Sequence, residues 1–376
     1  MFKTGSPVKG SEFIDRKKHI PIFRAFLDNN QHVMIKAPRR FGKTSLVKHV
    51  IESQDAYTFI YIDIRRVISL KSLSNQILDK AYSFVGIDNF IHQSQKAVIT
   101  LLKKLQSIKI DNIGEITLEH LERDIEEAEL FLHALDIVEK IAHKLNVNIK
   151  FIFDEFQEIT NISNKNILEK LRSVAQHHEN ITYIFLGSIE SMMTNIFESK
   201  SSPFFHFARV MSLDGLDIEE LSAYIFKEFG KRSFAFDKNA IQKTLNFLQG
   251  HPDYSMQVFQ SIYYKAIIDN QKIDKELCIN TIKEVILENR AYLDELIQKT
   301  KTKKHLYKVL SAIANDIPVN LEPKTLYNSR IILEDMGLIK NVGRGKYKIV
   351  DIFLNVLLLQ SNESMLIEQN NLFLEI

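Results

Sequence analysis

The sequence has little of what would place it in several common protein classes. Cys278 is the only cysteine among 376 residues, which excludes an intrachain disulfide and a zinc site built on cysteines. No apolar run approaches the roughly 20 residues that cross a bilayer, and the first residues lack the apolar core of a signal peptide. We therefore expect a cytoplasmic protein that makes no use of a membrane.

A strong excess of one charge is missing as well. The chain carries 49 basic and 47 acidic residues, for a formal net charge of +2. Overall charge therefore does not indicate nucleic-acid binding, which would require a local basic patch. Apolar residues are abundant at 45%, and a chain of this length is expected to fold as two or three domains.

The most informative segment joins a predicted strand at 32–36 to a predicted helix that begins at Thr44. Its residues are Ala37, Pro38, Arg39, Arg40, Phe41, Gly42, Lys43, Thr44 and Ser45. A strand, a tight loop and a helix start aim backbone N–H groups and the positive end of a helix dipole at one point, as in a phosphate-binding loop. Lys43 would contact the β- and γ-phosphates, and the Thr44 hydroxyl would bind Mg²⁺. Ala37 stands where the common pattern has glycine.

A later predicted strand, 147–153, ends in two acidic residues, Asp154 and Glu155. Both carboxylates would emerge at the carboxyl edge of the sheet, where open α/β folds bind ligands. Asp154 would hold Mg²⁺ through water, and Glu155 would polarise the attacking water as a general base. The alternative is that the pair merely caps the next helix, but its match to the phosphate loop favours a nucleotide site.

Two further residues are candidates for catalytic roles, each with an open alternative. Ser188 follows the predicted strand 181–186 and would bond the attacking water or the γ-phosphate, or else cap the next helix. Arg209 precedes the predicted fifth strand. It would stabilise transition-state charge on its own or a neighbouring subunit's nucleotide, or else be an ordinary surface arginine.

The order of predicted elements indicates an α/β fold. Five short strands near 32–37, 57–63, 147–153, 181–186 and 209–213 alternate with helices, which predicts a parallel sheet covered on both faces. The helical patterns include 69–84, 88–105 and 119–145, with an extended segment at 108–118. We predict a P-loop ATPase domain at 1–215, a helical lid at 216–299 and a winged helix at 300–376.

Several motifs together resemble one family. They are Gly10–Arg16, Ala37–Leu46, Phe153–Ile159, Phe185–Ser188 and Gly250–Pro252. The chain resembles the archaeal-type P-loop ATPases of the AAA+/STAND group, and the resemblance extends from near the N-terminus through the C-terminal winged helix. In that family an alanine at the first loop position is ordinary.

The resemblance carries expectations of its own. It implies ATP rather than GTP as the nucleotide, and a sheet in which the 181–186 strand separates the phosphate-loop strand from the Asp154 strand. It also implies that Arg16 and Pro252 line the adenine side of the pocket. From the residues alone, Arg16 is equally a solvated residue at a helix start, and Gly250–Pro252 a turn between helices.

The predicted winged helix raises the question of double-stranded DNA. Its second helix offers Lys324, Asn328 and Arg330, and its wing adds Arg344, Lys346 and Lys348. A protein partner or self-association is the alternative use of such a module. Three hypotheses stay open: an ATPase whose cycle remodels or loads something on DNA, a slowly hydrolysing signalling switch, and a nucleotide-stabilised scaffold.

Overall fold

The computed structural model describes residues 2–8, 10, 13–52, 57–86, 126–163, 166–268 and 271–360. Four expectations fall wholly or partly outside these residues. They are the helix predicted at 88–105, the extended segment predicted at 108–118, the first residues, 119–125, of the helix predicted at 119–145, and the last residues, 361–376, of the predicted winged helix.

A five-stranded parallel sheet forms the centre of the first part of the chain. Its strands are β1 (Val33–Lys36), β2 (Thr58–Asp63), β3 (Ile149–Asp154), β4 (Ile181–Gly187) and β5 (Arg209–Ser212). They run in the order β2-β3-β4-β1-β5, and every neighbouring pair is parallel. The five predicted strands and the α/β fold class are confirmed, and β4 separates β1 from β3 as the resemblance implied.

Helices cover both faces of this sheet. They are α1 (His19–Asp28), α2 (Lys43–Glu52), α3 (Leu70–Ser83), α4 (Glu127–Leu145), α5 (Ile167–Ala175) and α6 (Glu190–Phe197). Successive strand side chains point to opposite faces. Met34 therefore packs in the core beneath α3 and α4, whereas its neighbours Val33 and Ile35 pack in the core beneath α1 and α2.

Five helices follow the sheet, and we call them the lid. They are α7 (Ile218–Gly230), α8 (Lys238–Phe247), α9 (Pro252–Ile268), α10 (Lys275–Glu288) and α11 (Arg290–Lys301). Asp217, Asp237 and Asp274 each accept backbone N–H groups at a helix start. Such caps satisfy donors that have no partner inside the helix, which fixes where α7, α8 and α10 begin.

Residues 306–360, which we call the C-terminal module, complete the described chain. Helices α12 (Leu306–Ala314) and α13 (Pro323–Asp335) precede an antiparallel hairpin of β6 (Ile339–Gly343) and β7 (Lys346–Ile349), followed by α14 (Ile352–Gln360). The apolar core of the lid continues without interruption into this module. Among the described helices, none is long and apolar enough to cross a membrane.

Candidate active site

The phosphate loop lies between β1 and α2, as the sequence predicts. Gly42 has φ of +82°, a left-handed conformation that glycine adopts without a steric penalty. Ala37 is not among the described residues with positive φ. An alanine therefore fits the first loop position here, because that position does not require the conformation that L-residues disfavour.

Lys43 is buried at the first turn of α2, with 6% of its surface exposed. Its Nζ donates to the carbonyl oxygens of Ala37 at 2.8 Å and Pro38 at 3.0 Å. Burial lowers the pKa of Lys43 to about 8, although the charges of Glu155 and Asp154 act in the opposite direction. The backbone carbonyl groups of Ala37 and Pro38, the first two residues of the predicted loop, therefore hold the ammonium group inside the loop.

Thr44 and Asp154, which are 110 residues apart in the chain, meet at the carboxyl edge of the sheet. Thr44 Oγ1 donates to Asp154 Oδ2 at 2.7 Å, and the Tyr61 hydroxyl donates to the same oxygen. Burial and the charge of Asp154 raise the pKa of Tyr61, which keeps its proton available for that bond. Asp63 lies opposite Asp154 in the β2–β3 register. A second carboxylate therefore lies beside the first.

The donor set here fits Mg²⁺. This ion takes oxygen ligands and is commonly held by one or two carboxylates together with substrate phosphates. Thr44 and Asp154 supply a hydroxyl and a buried carboxylate in contact with one another. No cluster of three or more His, Cys, Asp or Glu residues suits a metal in the described part of the chain. The ion would therefore depend on phosphate oxygens for part of its coordination.

Glu155 is held by three side chains. Its Oε1 pairs with the Arg65 guanidinium at 2.7 Å, and its Oε2 accepts from Ser188 at 2.6 Å and Gln157 at 2.7 Å. Its φ of +55° is unusual for a residue other than glycine. Residues with such backbone conformations cluster at functional sites. Burial by itself raises the pKa of Glu155, but the hydrogen bonds from Ser188 and Gln157 outweigh it. The net pKa is below the ordinary value, so the group is a carboxylate at neutral pH.

Ser188 therefore contacts the candidate base directly. Helix α6 has its N-cap at Ile189 and no side-chain cap, so the helix-capping alternative for Ser188 is wrong. Gly187 precedes it, and a Cβ at that glycine would lie 2.2 Å from Met193 Cγ and 2.9 Å from Gln157 Oε1. The close packing of Met193, and to a lesser degree of Gln157, against β4 thus depends on the glycine.

Sequence reasoning missed Arg65, Gln157 and Tyr61. Arg65 follows the carboxyl end of β2, the edge at which Asp154 was expected, so the same edge argument applied to β2 would have found it. Gln157 lies in the 3₁₀ turn Phe156–Thr160, directly after the acidic pair. Tyr61 alternates with apolar neighbours in a strand, and nothing in the sequence distinguishes it from a core tyrosine.

A cavity of about 800 Å³ opens over these groups. The predicted residues that line it are Arg16, residues 39–45, Asp154, Glu155 and Pro252. Asn289 and Tyr292, from the lid, line it as well. The volume lies within the range of about 300–1,000 Å³ usual for small-molecule sites. The cavity therefore has room for a nucleotide between the sheet and the lid.

Arg16 is a buried residue, so the alternative of a solvated helix start is wrong. One of its guanidinium nitrogens donates to the Phe41 carbonyl at 2.8 Å and another to the Asp214 carbonyl at 2.8 Å. Burial lowers its pKa against the opposing charges of Asp15 and Asp214. Arg16 thus ties the phosphate loop to the segment that leads into the lid.

The turn at 250–252 is both a helix start and a wall of the cavity. Gly250 has φ of +62°, and a Cβ there would lie 2.2 Å from the Leu216 carbonyl oxygen. Pro252 begins α9, where its missing N–H and fixed φ suit the first turn. The glycine is therefore required by the packing of the turn against Leu216, and the proline faces the site.

Arg209 does not join these residues. It is the first residue of β5 and lies opposite Val33, the first residue of β1, whereas the phosphate loop follows the last residue of β1. At about 3.3 Å per residue, it is about 10 Å from the carboxyl edge. The prediction that Arg209 acts on this chain's own nucleotide is wrong for that reason; action on a neighbouring subunit stays a prediction.

The comparisons with known proteins agree with this geometry. A family model described as an ATPase domain predominantly from Archaea matches residues 13–258. The fold is similar to that of the Walker-type ATPase of Pyrococcus abyssi, with TM-score 0.68, 18% identity, and coverage of 95% of this chain and 99% of that one. It is also similar to the ORC2 protein of Aeropyrum pernix in its ADPNP–ADP complexes, with TM-score 0.54, 13% identity, and coverage of 95% and 98%.

A search of curated proteins finds no match to the sequence. The family model nevertheless spans more than half of the chain. It includes the phosphate loop, the acidic residues Asp154 and Glu155, and the turn at 250–252. The chain therefore belongs to the family of ATPase domains found predominantly in Archaea.

Proposed function

We propose that this ATPase hydrolyses ATP in a Mg²⁺-dependent reaction whose nucleotide cycle rearranges the lid and the C-terminal module. The observation that carries the proposal is the 2.7 Å contact between Thr44 and Asp154. Lys43 and Glu155 line the same cavity. The cavity therefore brings together a counter-charge for phosphate, oxygen donors for a metal and a candidate general base.

Each residue has a distinct role in the proposed reaction. Lys43 supplies positive charge to the β- and γ-phosphates, and the N–H groups at the start of α2 add the helix dipole. Thr44 and Asp154 would hold Mg²⁺, which when bound would supply positive charge against the negative charge that develops on the phosphate oxygens. Glu155 accepts a proton from the attacking water. The water oxygen bonds to the γ-phosphorus as the bond from that phosphorus to the bridging oxygen of ADP breaks.

Contacts across the cavity support a nucleotide-dependent rearrangement. Arg40 of the phosphate loop pairs with Asp253 of α9 at 3.0 Å, and its guanidinium lies 5.6 Å from the ring centroid of Tyr292 in α11. A triphosphate in the loop would compete with Asp253 for the Arg40 charge, since both are anions. Loss of γ-phosphate would then favour the contact between loop and lid.

Duplex DNA is the partner that we propose for the C-terminal module, bound in the manner of a winged helix. Lys324 and Asn328 are exposed on α13, and Arg344, Lys346 and Lys348 are exposed on the hairpin. Basic residues on one helix and one hairpin suit contacts with the phosphate backbone. The module would place α13 in the major groove and the hairpin along the backbone.

Arg330 is less suited to this role than the sequence predicts. Its guanidinium carbon lies 4.8 Å from the ring centroid of Tyr347, between α13 and the hairpin. A cation packed on an aromatic face inside the module stabilises the module itself. We therefore omit Arg330 from the proposed DNA contacts.

A slowly hydrolysing switch is the second candidate, and the three donors on Glu155 favour it. Arg65, Ser188 and Gln157 occupy three of the roughly four acceptor sites of this carboxylate. The hydrogen bonds from Ser188 and Gln157 also lower its pKa, which makes Glu155 a weaker base toward water. Slow turnover would leave ATP bound long enough to stabilise an assembly or the docking of a protein partner. In such an assembly Arg209 would act on a neighbouring subunit's nucleotide.

Steady-state ATP turnover with and without duplex DNA tests the two candidates. DNA-stimulated turnover supports the first candidate, and slow turnover with assembly induced by a nonhydrolysable ATP analogue supports the second. A Lys324→Gln/Lys346→Gln double variant should lose DNA stimulation while its basal turnover is unchanged. The proposal as a whole is contradicted if wild-type protein neither binds nor hydrolyses ATP.

A further inference from the structure

Four aromatic rings join the phosphate loop to the C-terminal module. Phe41 meets His251 edge-on, with centroids 4.8 Å apart at 73°. His251 stacks on Tyr254 at 4.2 Å and 21°, and Tyr254 stacks on Phe353 of α14 at 3.9 Å and 22°. We call Phe41, His251, Tyr254 and Phe353 the aromatic column. It runs without a gap from the wall of the nucleotide cavity, through the start of α9, to the module.

Polar bonds fix the orientation of the rings. The Tyr254 N–H donates to His251 Nδ1 at 3.2 Å, and the Tyr254 hydroxyl donates to Asp351 Oδ2 at 2.7 Å. The other oxygen of Asp351 accepts the N–H groups of Phe353 and Leu354 and so caps α14. The Tyr254 hydroxyl and the Phe353 backbone are thus tied to the same carboxylate, which holds the start of α14 against the Tyr254 ring.

His251 acts in the column as a neutral ring. Burial, with the nearby charge of Arg40, lowers the pKa of His251 to about 3. Its Nδ1 accepts a hydrogen bond, so Nε2 carries the proton of the neutral ring. The His251 ring therefore stays neutral near pH 7, and it contributes to the column through packing.

At the other end of the column the loop backbone is closely constrained. The Phe41 carbonyl accepts from Arg16 at 2.8 Å, and the neighbouring Arg40 pairs with Asp253, the second residue of α9. The loop thus contacts the start of α9 at two successive positions. Because phosphate binding requires converging backbone N–H groups, a shift of Phe41 would change where the N–H groups beside it point.

We propose that the C-terminal module positions the phosphate loop through the aromatic column, so that a partner which displaces the module changes nucleotide affinity. The inference rests on the proposed function, since it requires a nucleotide at the loop. By linkage, nucleotide binding changes the module's affinity for its partner by the same factor. Tyr254 and Phe353 are accordingly positioning residues that act on nucleotide through Phe41.

Release of a fluorescent ADP analogue from Phe353→Leu protein tests this inference. Phe353 is fully buried in the module, yet its loss should speed release by about 2- to 30-fold, the range typical of residues along a coupling network. The matched control is Phe259→Leu. Phe259 is a fully buried aromatic residue of the same core, on α9, and packs against Phe2 and Phe229. The control should leave release unchanged at similar thermal stability.

Two further comparisons separate coupling from simple destabilisation. Tyr254→Phe keeps the stacked ring and should release ADP more slowly than Tyr254→Leu. Phe41→Leu and Phe353→Leu should be non-additive in a double-mutant cycle on ADP affinity, although these two rings lie at opposite ends of the column.

Equal effects of Phe353→Leu and Phe259→Leu, or strict additivity in the cycle, would overturn the inference. Both results presuppose wild-type protein that binds ADP. A failure of wild type to bind nucleotide would instead contradict the proposed function itself, so the two failures are distinguishable.

Discussion

Replacement of Glu155 by glutamine removes the candidate base while keeping the shape of its side chain. The amide oxygen still accepts from Ser188 or Gln157, whereas the ion pair with Arg65 is lost. Arg65 is 45% exposed at its side chain, so water screens this pair and its loss should cost at most about 1 kcal/mol of folding stability. The fold and the cavity should therefore survive the change.

The effect on catalysis should be far larger. A positioned general base contributes about 10²–10⁴-fold, so we expect kcat for ATP hydrolysis to fall by about that factor while nucleotide affinity stays close to wild type. Phosphate release under saturating ATP measures kcat, and equilibrium titration with a fluorescent analogue measures affinity. The assignment of Glu155 as the base is refuted if the variant keeps a kcat near wild type.

Further predictions concern Lys43, Arg65 and Arg209. Burial lowers the pKa of Lys43 to about 8, and the protonated form is the one that binds phosphate. ATP affinity should therefore fall as pH rises through 8, which isothermal titration at pH 7 and pH 9 would measure. Lys43→Ala should weaken ATP binding about 30-fold or more. Arg65→Gln should free Glu155 from its ion pair and raise basal ATP turnover up to about fivefold. The control is Arg66→Gln, at an exposed neighbour that pairs with Asp63, and it should leave turnover unchanged. Equal turnover in the two variants would contradict the view that Arg65 restrains Glu155. Arg209→Ala should slow hydrolysis in an assembly, and mixing it with Glu155→Gln protein should restore activity; failure of the mixture to recover would remove Arg209 from the mechanism.

The local features of the site were predictable because they depend on neighbours in the chain. The strand–loop–helix order around Lys43 and the acidic end of β3 each appear within about ten residues of sequence, and the structure has both. Residues at the carboxyl ends of parallel strands meet at one edge whatever their separation in the chain. For this reason the contact of Thr44 with Asp154 followed from two short motifs.

What escaped prediction depends on tertiary geometry. The edge argument places Arg65 at the carboxyl end of β2, but its pairing with Glu155 requires knowing that β2 lies beside β3. Arg209 lies at the start of β5, so the same edge argument, applied to that strand, would already have placed it away from the nucleotide. Packing between distant segments, such as the stack of Tyr254 on Phe353 across 99 residues, leaves no periodic signal at all.

A crystal structure with Mg²⁺ and a nonhydrolysable ATP analogue tests the central claim most directly. It should show Mg²⁺ bound by the Thr44 hydroxyl and reached through water by Asp154, with Lys43 Nζ on the β- and γ-phosphate oxygens. Triphosphate bound elsewhere in the chain, or bound here with Asp154 remote from the metal, would contradict the account.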